Sequence, residues 1–107
     1  MSAGPEAKVL AKIMRWLKTS ASSGWWVKIH GGPYQRSGIP DIIGCYCGRL
    51  VGIETKSPAA YRKPGHDLSA LQKATLEDIK HSGGATLVTY DVEEVKAFIQ
   101  KVRDGKL

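Results

Sequence analysis

Cysteine and long apolar runs are scarce in this chain. Two cysteines in 107 residues exclude the disulfide framework of a small secreted domain, and they are too few for a closed structural zinc site, which takes about four ligands. They stand at positions 45 and 47. There a strand directs both side chains the same way and strains a direct disulfide, so Cys45 and Cys47 read as reduced core residues. No stretch approaches the roughly 20 apolar residues of a membrane span, and the amino end "MSAGPEAKVLAK" has no apolar segment after its charges. The expectation is a soluble, cytoplasmic protein without signal peptide or membrane segment. Acids are also scarce, with ten Asp+Glu against sixteen Lys+Arg and a formal charge of +6. That excess favours a polyanionic partner, nucleic acid first. Repeats and low-complexity tracts are absent. The length predicts one domain over 1–107, small enough that a further binding surface can come from a second subunit.

Periodicity places the elements. Leu10, Ile13, Met14 and Leu17 recur on one helical stripe from Pro5 to about Lys18, with Pro5 suited to the first turn. "WWVKIH" (25–30) reads as a strand, "GGPYQRSG" (31–38) as a loop, and Asp41 to Cys47 and Leu50 to Lys56 as two strands. An irregular stretch follows over 57–67. A helix is predicted from Ala70 to His81, capped by Ser69 and stopped by Gly83 and Gly84. "ATLVTY" (85–90) is a strand, and a last helix from Asp91 carries Val92, Val95, Ile99 and Val102. The order α-β-β-β-α-β-α predicts an α/β domain with a mixed sheet flanked by helices.

The segment "SGIPDIIGCYCGRLVGIETKS" (37–57) puts charge into the most strand-like part of the chain. A two-residue turn at Gly48-Arg49 pairs Cys47 with Leu50, Ile43 with Glu54 and Asp41 with Lys56. Alternation then sets Asp41, Ile43, Cys45, Cys47, Leu50, Gly52, Glu54 and Lys56 on one face and Ile42, Tyr46, Val51, Ile53 and Thr55 on the other. Diagonal neighbours across such a pair lie roughly 7–8 Å apart, a span over which two carboxylates share one divalent ion. Oxygen ligands suit Mg²⁺ or Mn²⁺, and a lysine beside the metal can act on water or on charge developing at a phosphate. That constellation points to phosphodiester hydrolysis. The same residues also admit a purely structural reading, with Asp41 capping a turn after Pro40 and Glu54 and Lys56 forming a strand-end ion pair.

Further positions carry alternatives of their own. At ~100° per residue Glu6 falls at the centre of the Leu10, Ile13, Leu17 stripe and so faces inward, unless it is only a first-turn carboxylate favoured by the helix dipole. Gln72 lies on the stripe of Leu76 and Ile79, yet Ser69-Ala70-Leu71-Gln72 is also a capping box. Of Trp25 and Trp26 one belongs to the core and the other to a surface. Among the basic residues Arg36, Arg62, Lys63 and Lys73 are candidate DNA contacts, and Gly31, Gly32 and Gly38 would let DNA approach the backbone.

Pro40-Asp41, twelve intervening residues and Glu54-Thr55-Lys56 resemble the PD-(D/E)xK nuclease motif. With Glu6 in the first helix, "RSGIPD", "LSALQ" and "GGATLVTYDVEEV", the chain from Glu6 to about Val95 resembles the VRR-NUC branch of that superfamily, as a stand-alone nuclease domain. The resemblance implies a restriction-endonuclease-like PD-(D/E)xK core. Its metal ligands would be Asp41, Glu54, the Thr55 main-chain carbonyl and Glu6, directly or through water, with Lys56 and Gln72 completing the catalytic set. It implies a Mg²⁺- or Mn²⁺-dependent endodeoxyribonuclease. Because stand-alone members resemble Holliday-junction resolvases, the expected substrate is branched DNA and the expected state a homodimer whose interface is the exposed one of Trp25 and Trp26 with the "GGPYQRSG" loop (31–38). The alternatives are a flap or repair nuclease, a nuclease-like subunit of a larger complex, and a non-catalytic basic nucleic-acid-binding module.

Overall fold

A computed structural model describes residues 4–31, 33, 34, 36–56 and 68–107. It is a mixed α/β globule, and the seven elements among the described residues follow the predicted order: α1 (Pro5–Ser20), β1 (Trp25–Lys28), β2 (Ile42–Tyr46), β3 (Arg49–Thr55), α2 (Ala70–His81), β4 (Ala85–Thr89) and α3 (Val92–Arg103). The four strands form one sheet in the order β1-β2-β3-β4, with β1, β2 and β3 antiparallel and β4 parallel to β3. A parallel neighbour needs a crossover, and α2 supplies it.

The apolar stripes explain which helix covers which face. Ile13 and Leu17 of α1 and Val92, Val95, Phe98, Ile99 and Val102 of α3 are buried in one cluster with Ile42, Tyr46, Val51 and Ile53. Trp26 joins this cluster. Its indole Nε1 donates to the Ala21 carbonyl at 2.9 Å, and its ring covers Gly44, where a Cβ would stand 2.2 Å from Trp26 Cε3. Glycine is therefore required there by space. On the opposite face α2 lays Ile79 over Gly52, with Pro40 alongside. Helix α3 starts at Asp91, whose carboxylate accepts from the Glu94 amide at 2.9 Å, an N-cap one residue before the helix proper.

The hairpin corrects one expectation. Its turn is Cys47-Gly48, with φ of 52° and 77°, the pair of left-handed conformations of a type I′ turn, in place of Gly48-Arg49. Arg49 is held in β3 because its guanidinium donates to the carbonyls of Gly83 (3.0 Å) and Gly84 (3.1 Å). Ile43 consequently pairs with Gly52, not Glu54, and Ile42 with Ile53. A shift of two positions leaves the paired residues of β2 and β3 on their predicted faces, because alternation has a period of two, while Cys47 falls in the turn and Asp41, ahead of β2, turns its carboxylate to the Thr55 hydroxyl that alternation had set on the other face. What it changes is the opposition at the strand ends: continued past β2, the register sets Asp41 against Glu54 and not against Lys56.

Cys45 and Cys47 are free, as expected, but both are exposed and not core. Cys47 occupies the turn. Cys45 lies in a cross-strand row with Trp25 and Leu50, on the α2 face, and Trp25 (63%) and Leu50 (46%) are exposed as well. Among the described residues no helix is long and apolar enough to cross a membrane.

Candidate metal centre

The site gathers at the end of the sheet where β2 begins and β3 finishes. Asp41 lies just before β2, in a bend after the buried Pro40. Its backbone is held on both sides, because its carbonyl accepts from the Ile29 amide at 2.8 Å and its own amide donates to Glu54 Oε1 at 3.2 Å. The Asp41 carboxylate turns across to β3, where Oδ2 accepts from the Thr55 amide at 2.8 Å and from Thr55 Oγ1 at 2.7 Å.

Glu54 sits in the central strand and is 3% exposed. Its Oε2 accepts from Gln72 Nε2 at 3.0 Å, and Lys56 Nζ lies 3.6 Å from the same oxygen. Burial, and then the negative charge of Asp41, push the Glu54 carboxyl up to about 7, with Lys56 opposing the shift. Removing a carboxylate from water and setting a second one beside it both disfavour the charged form. Glu6 is exposed in the first turn of α1, not inward as its stripe position predicts. Even so, Glu6, Asp41 and Glu54 each offer a carboxylate oxygen, and these oxygens all lie within 4.8 Å of one another. Three hard oxygen donors this close fit a divalent ion such as Mg²⁺ or Mn²⁺, and a cation there would favour the charged form of Glu54 that burial, and then the Asp41 charge, disfavour.

Gln72 has both of the roles its sequence context allows. Ser69 caps α2 through a complete capping box, with its Oγ accepting from the Gln72 amide at 3.1 Å and its own amide donating to Gln72 Oε1 at 2.9 Å. The same Oε1 accepts from Lys56 Nζ at 3.3 Å. With its oxygen turned to two donors, the amide has its NH₂ group left to face Glu54. The helix cap thus fixes the orientation of a side chain at the site.

The remaining candidates separate. Arg36 is exposed and lines a cavity of about 230 Å³ beside Asp41, together with Ile29, Gly31, Ser37, Gly38 and Ile39. Lys73 is exposed on α2, directly after Gln72. Arg62 and Lys63 lie outside the described residues, as does Gly32. Gly31 faces open space, whereas Gly38 serves the fold: its φ is 87°, and a Cβ there would stand 2.7 Å from the Leu71 carbonyl oxygen. The side chain of Thr55 is the component that motif reasoning misses, since that reasoning uses only its carbonyl. Nothing in a threonine between an acid and a lysine announces that its hydroxyl will meet Asp41.

No family model, curated protein or solved structure matches the chain.

Proposed function

We propose that this chain is a divalent-metal-dependent DNA endonuclease with a PD-(D/E)xK core of the VRR-NUC type. The observation that carries the reading is the convergence of Glu6, Asp41 and Glu54 within 4.8 Å of one another, with Lys56 Nζ at 3.6 Å from the most buried of the three. Asp41, Glu54, the Thr55 carbonyl and Glu6 would hold Mg²⁺ or Mn²⁺. A bound ion of this class polarises a phosphate oxygen and lowers the pKa of water.

The residues of the chain have distinct tasks in that reading. Lys56, fixed by Gln72 Oε1 and by Glu54, stands at the edge of the carboxylate cluster, where it orients the attacking water and offsets charge building on the phosphate. Gln72 sets the directions of Glu54 and Lys56 together. Arg36, in the cavity next to Asp41, and Lys73 contribute phosphate contacts, consistent with the net charge of +6.

We extend the proposal to substrate and assembly. The exposed row Trp25, Cys45 and Leu50 offers an apolar surface for a homodimer, and a two-fold dimer presents two identical sites that match the symmetry of a four-way junction. The test is cleavage of labelled duplex, flap and four-way-junction DNA by the purified chain, with and without Mg²⁺, alongside light scattering. Symmetric junction cuts by a dimer are expected. Preferential cutting of 5′ flaps by a monomer would favour a repair nuclease, and DNA binding without any cleavage would favour a basic binding module.

A further inference from the structure

The carboxylate of Asp41 is held asymmetrically, and the asymmetry has a chemical consequence. Both donors of Thr55, the main-chain N–H at 2.8 Å and Oγ1–H at 2.7 Å, converge on Oδ2. Oδ1 takes neither. Thr55 is fully buried, at 0% exposure, in the last position of β3. Its χ1 is stiff because it is β-branched. Its amide is committed to Asp41, and the hydroxyl adds a second fixed direction. A carboxylate gripped at one oxygen by two donors cannot rotate to offer both oxygens to a cation. It presents one.

We propose that Thr55, through its side-chain hydroxyl, is the positioning residue of the metal centre: it locks Asp41 so that Oδ1 alone is presented to the ion, as a one-oxygen ligand. This deepens the metal-centre reading and rests on it. A role for the Thr55 carbonyl is separate, since the substitutions below leave the carbonyl in place. Outer partners that orient a metal ligand are typically worth about 10–100-fold in metal affinity.

The experiment measures Mn²⁺ affinity by electron paramagnetic resonance on the full chain carrying Thr55→Val, Thr55→Ser or no change, with folding followed by circular dichroism. Thr55→Val keeps the branched shape and removes only the hydroxyl. It is expected to weaken Mn²⁺ binding about tenfold, and Thr55→Ser, which restores the hydroxyl, to return it to within about threefold of wild type. DNA cleavage by the valine variant should recover at high Mg²⁺, because the defect lies in holding the ion. Unchanged Mn²⁺ affinity in a folded Thr55→Val protein overturns the proposal while leaving the metal centre standing. Should the valine variant not fold, Thr55→Ala and Thr55→Ser decide instead: equal weakening by the two assigns the effect to the lost methyl group and overturns it, whereas weakening by alanine alone supports it. A wild-type protein that binds no Mn²⁺ overturns the metal-centre reading itself, and this inference with it.

Discussion

The two faces of the sheet are built from the same four strands and do different things. Under α1 and α3 the contacts are apolar and closed, with Ile13, Leu17, Ile42, Ile53, Val95 and Ile99 at or near zero exposure. Under α2 the cover is partial. At one end it gives way to the polar cluster of Asp41, Glu54, Lys56 and Gln72, and toward the hairpin it leaves Trp25, Cys45 and Leu50 open. Strand β3 belongs to both faces, since Val51 and Ile53 enter the apolar cluster while Glu54 turns to the acids. Glu54 is tolerated there because its oxygens are met by Gln72, Lys56 and the Asp41 amide. The comparison predicts that stability and chemistry can be separated by mutation.

The largest effect is expected from the carboxylates. Asp41→Asn or Glu54→Gln should reduce Mg²⁺-dependent cleavage by at least about a thousandfold while leaving the helical circular dichroism signal intact. Lys56→Ala should lose cleavage and still bind Mn²⁺. DNA binding by gel shift should survive all three. Normal cleavage by a clean preparation of Asp41→Asn would place the chemistry elsewhere.

The closed face should respond in the reverse way. Leu17→Ala removes a fully buried side chain and should cost about 2–5 kcal/mol in urea unfolding. Mn²⁺ affinity per folded molecule should stay within about twofold. A matching loss of affinity would mean that the two faces are coupled through β3.

How much of this division is legible in the sequence depends on the kind of signal. Element order and the face of each strand residue follow from periodicity, which survives a slip of two positions, as Ile42 and Ile53 demonstrate. The turn itself is not legible, because Cys47 at positive φ is an uncommon choice for a type I′ position and Arg49 is kept in β3 by carbonyls 34 and 35 residues away. The burial of Cys45 fails for a related reason: alternation assigns a face, but whether a helix covers that part of the face is a tertiary matter. Charge spacing brings Asp41 and Glu54 together. The resemblance names Glu6 beside them, but the stripe puts it inward, and neither signal tells that it joins them from an exposed position or that Thr55 grips one oxygen of Asp41.

The acid cluster also makes stability depend on pH. Folding holds the Glu54 carboxyl protonated up to about 7, against 4.5 for the ordinary group. Between these values the native state binds a proton that the unfolded chain has released, so stability falls as pH rises through the window. The loss is on the order of 3 kcal/mol, absent below about pH 4.5 and complete only above about pH 7. Thermal melts without metal should therefore show a downward slope from pH 5 to 7.5 that is steeper in wild type than in Glu54→Gln. Saturating Mn²⁺ should reduce it, by favouring the charged form. Equal slopes in the two proteins would mean that Glu54 ionises normally in the fold.

The smallest effect distinguishes the two roles of Gln72. Ser69→Ala removes the hydroxyl that accepts from the Gln72 amide and should cost about 1 kcal/mol of stability, the usual value of an N-cap. It leaves the Ser69 main-chain N–H, which holds Gln72 Oε1, and so leaves the amide pointing its NH₂ at Glu54. Cleavage by Ser69→Ala should stay within about threefold of wild type, because such a cap acts on the helix. Gln72→Ala removes the reciprocal bond of the cap and also the contacts with Glu54 and Lys56. Its stability loss should be similar, but its rate should fall well beyond that of Ser69→Ala. Gln72→Glu keeps an acceptor for Ser69 and Lys56 yet sets an oxygen against Glu54 Oε2. It should therefore be as slow as the alanine variant while retaining most of the cap. If the alanine and glutamate variants both match Ser69→Ala in rate, Gln72 serves the helix alone, and the open side of the sheet has no link to the α2 cap.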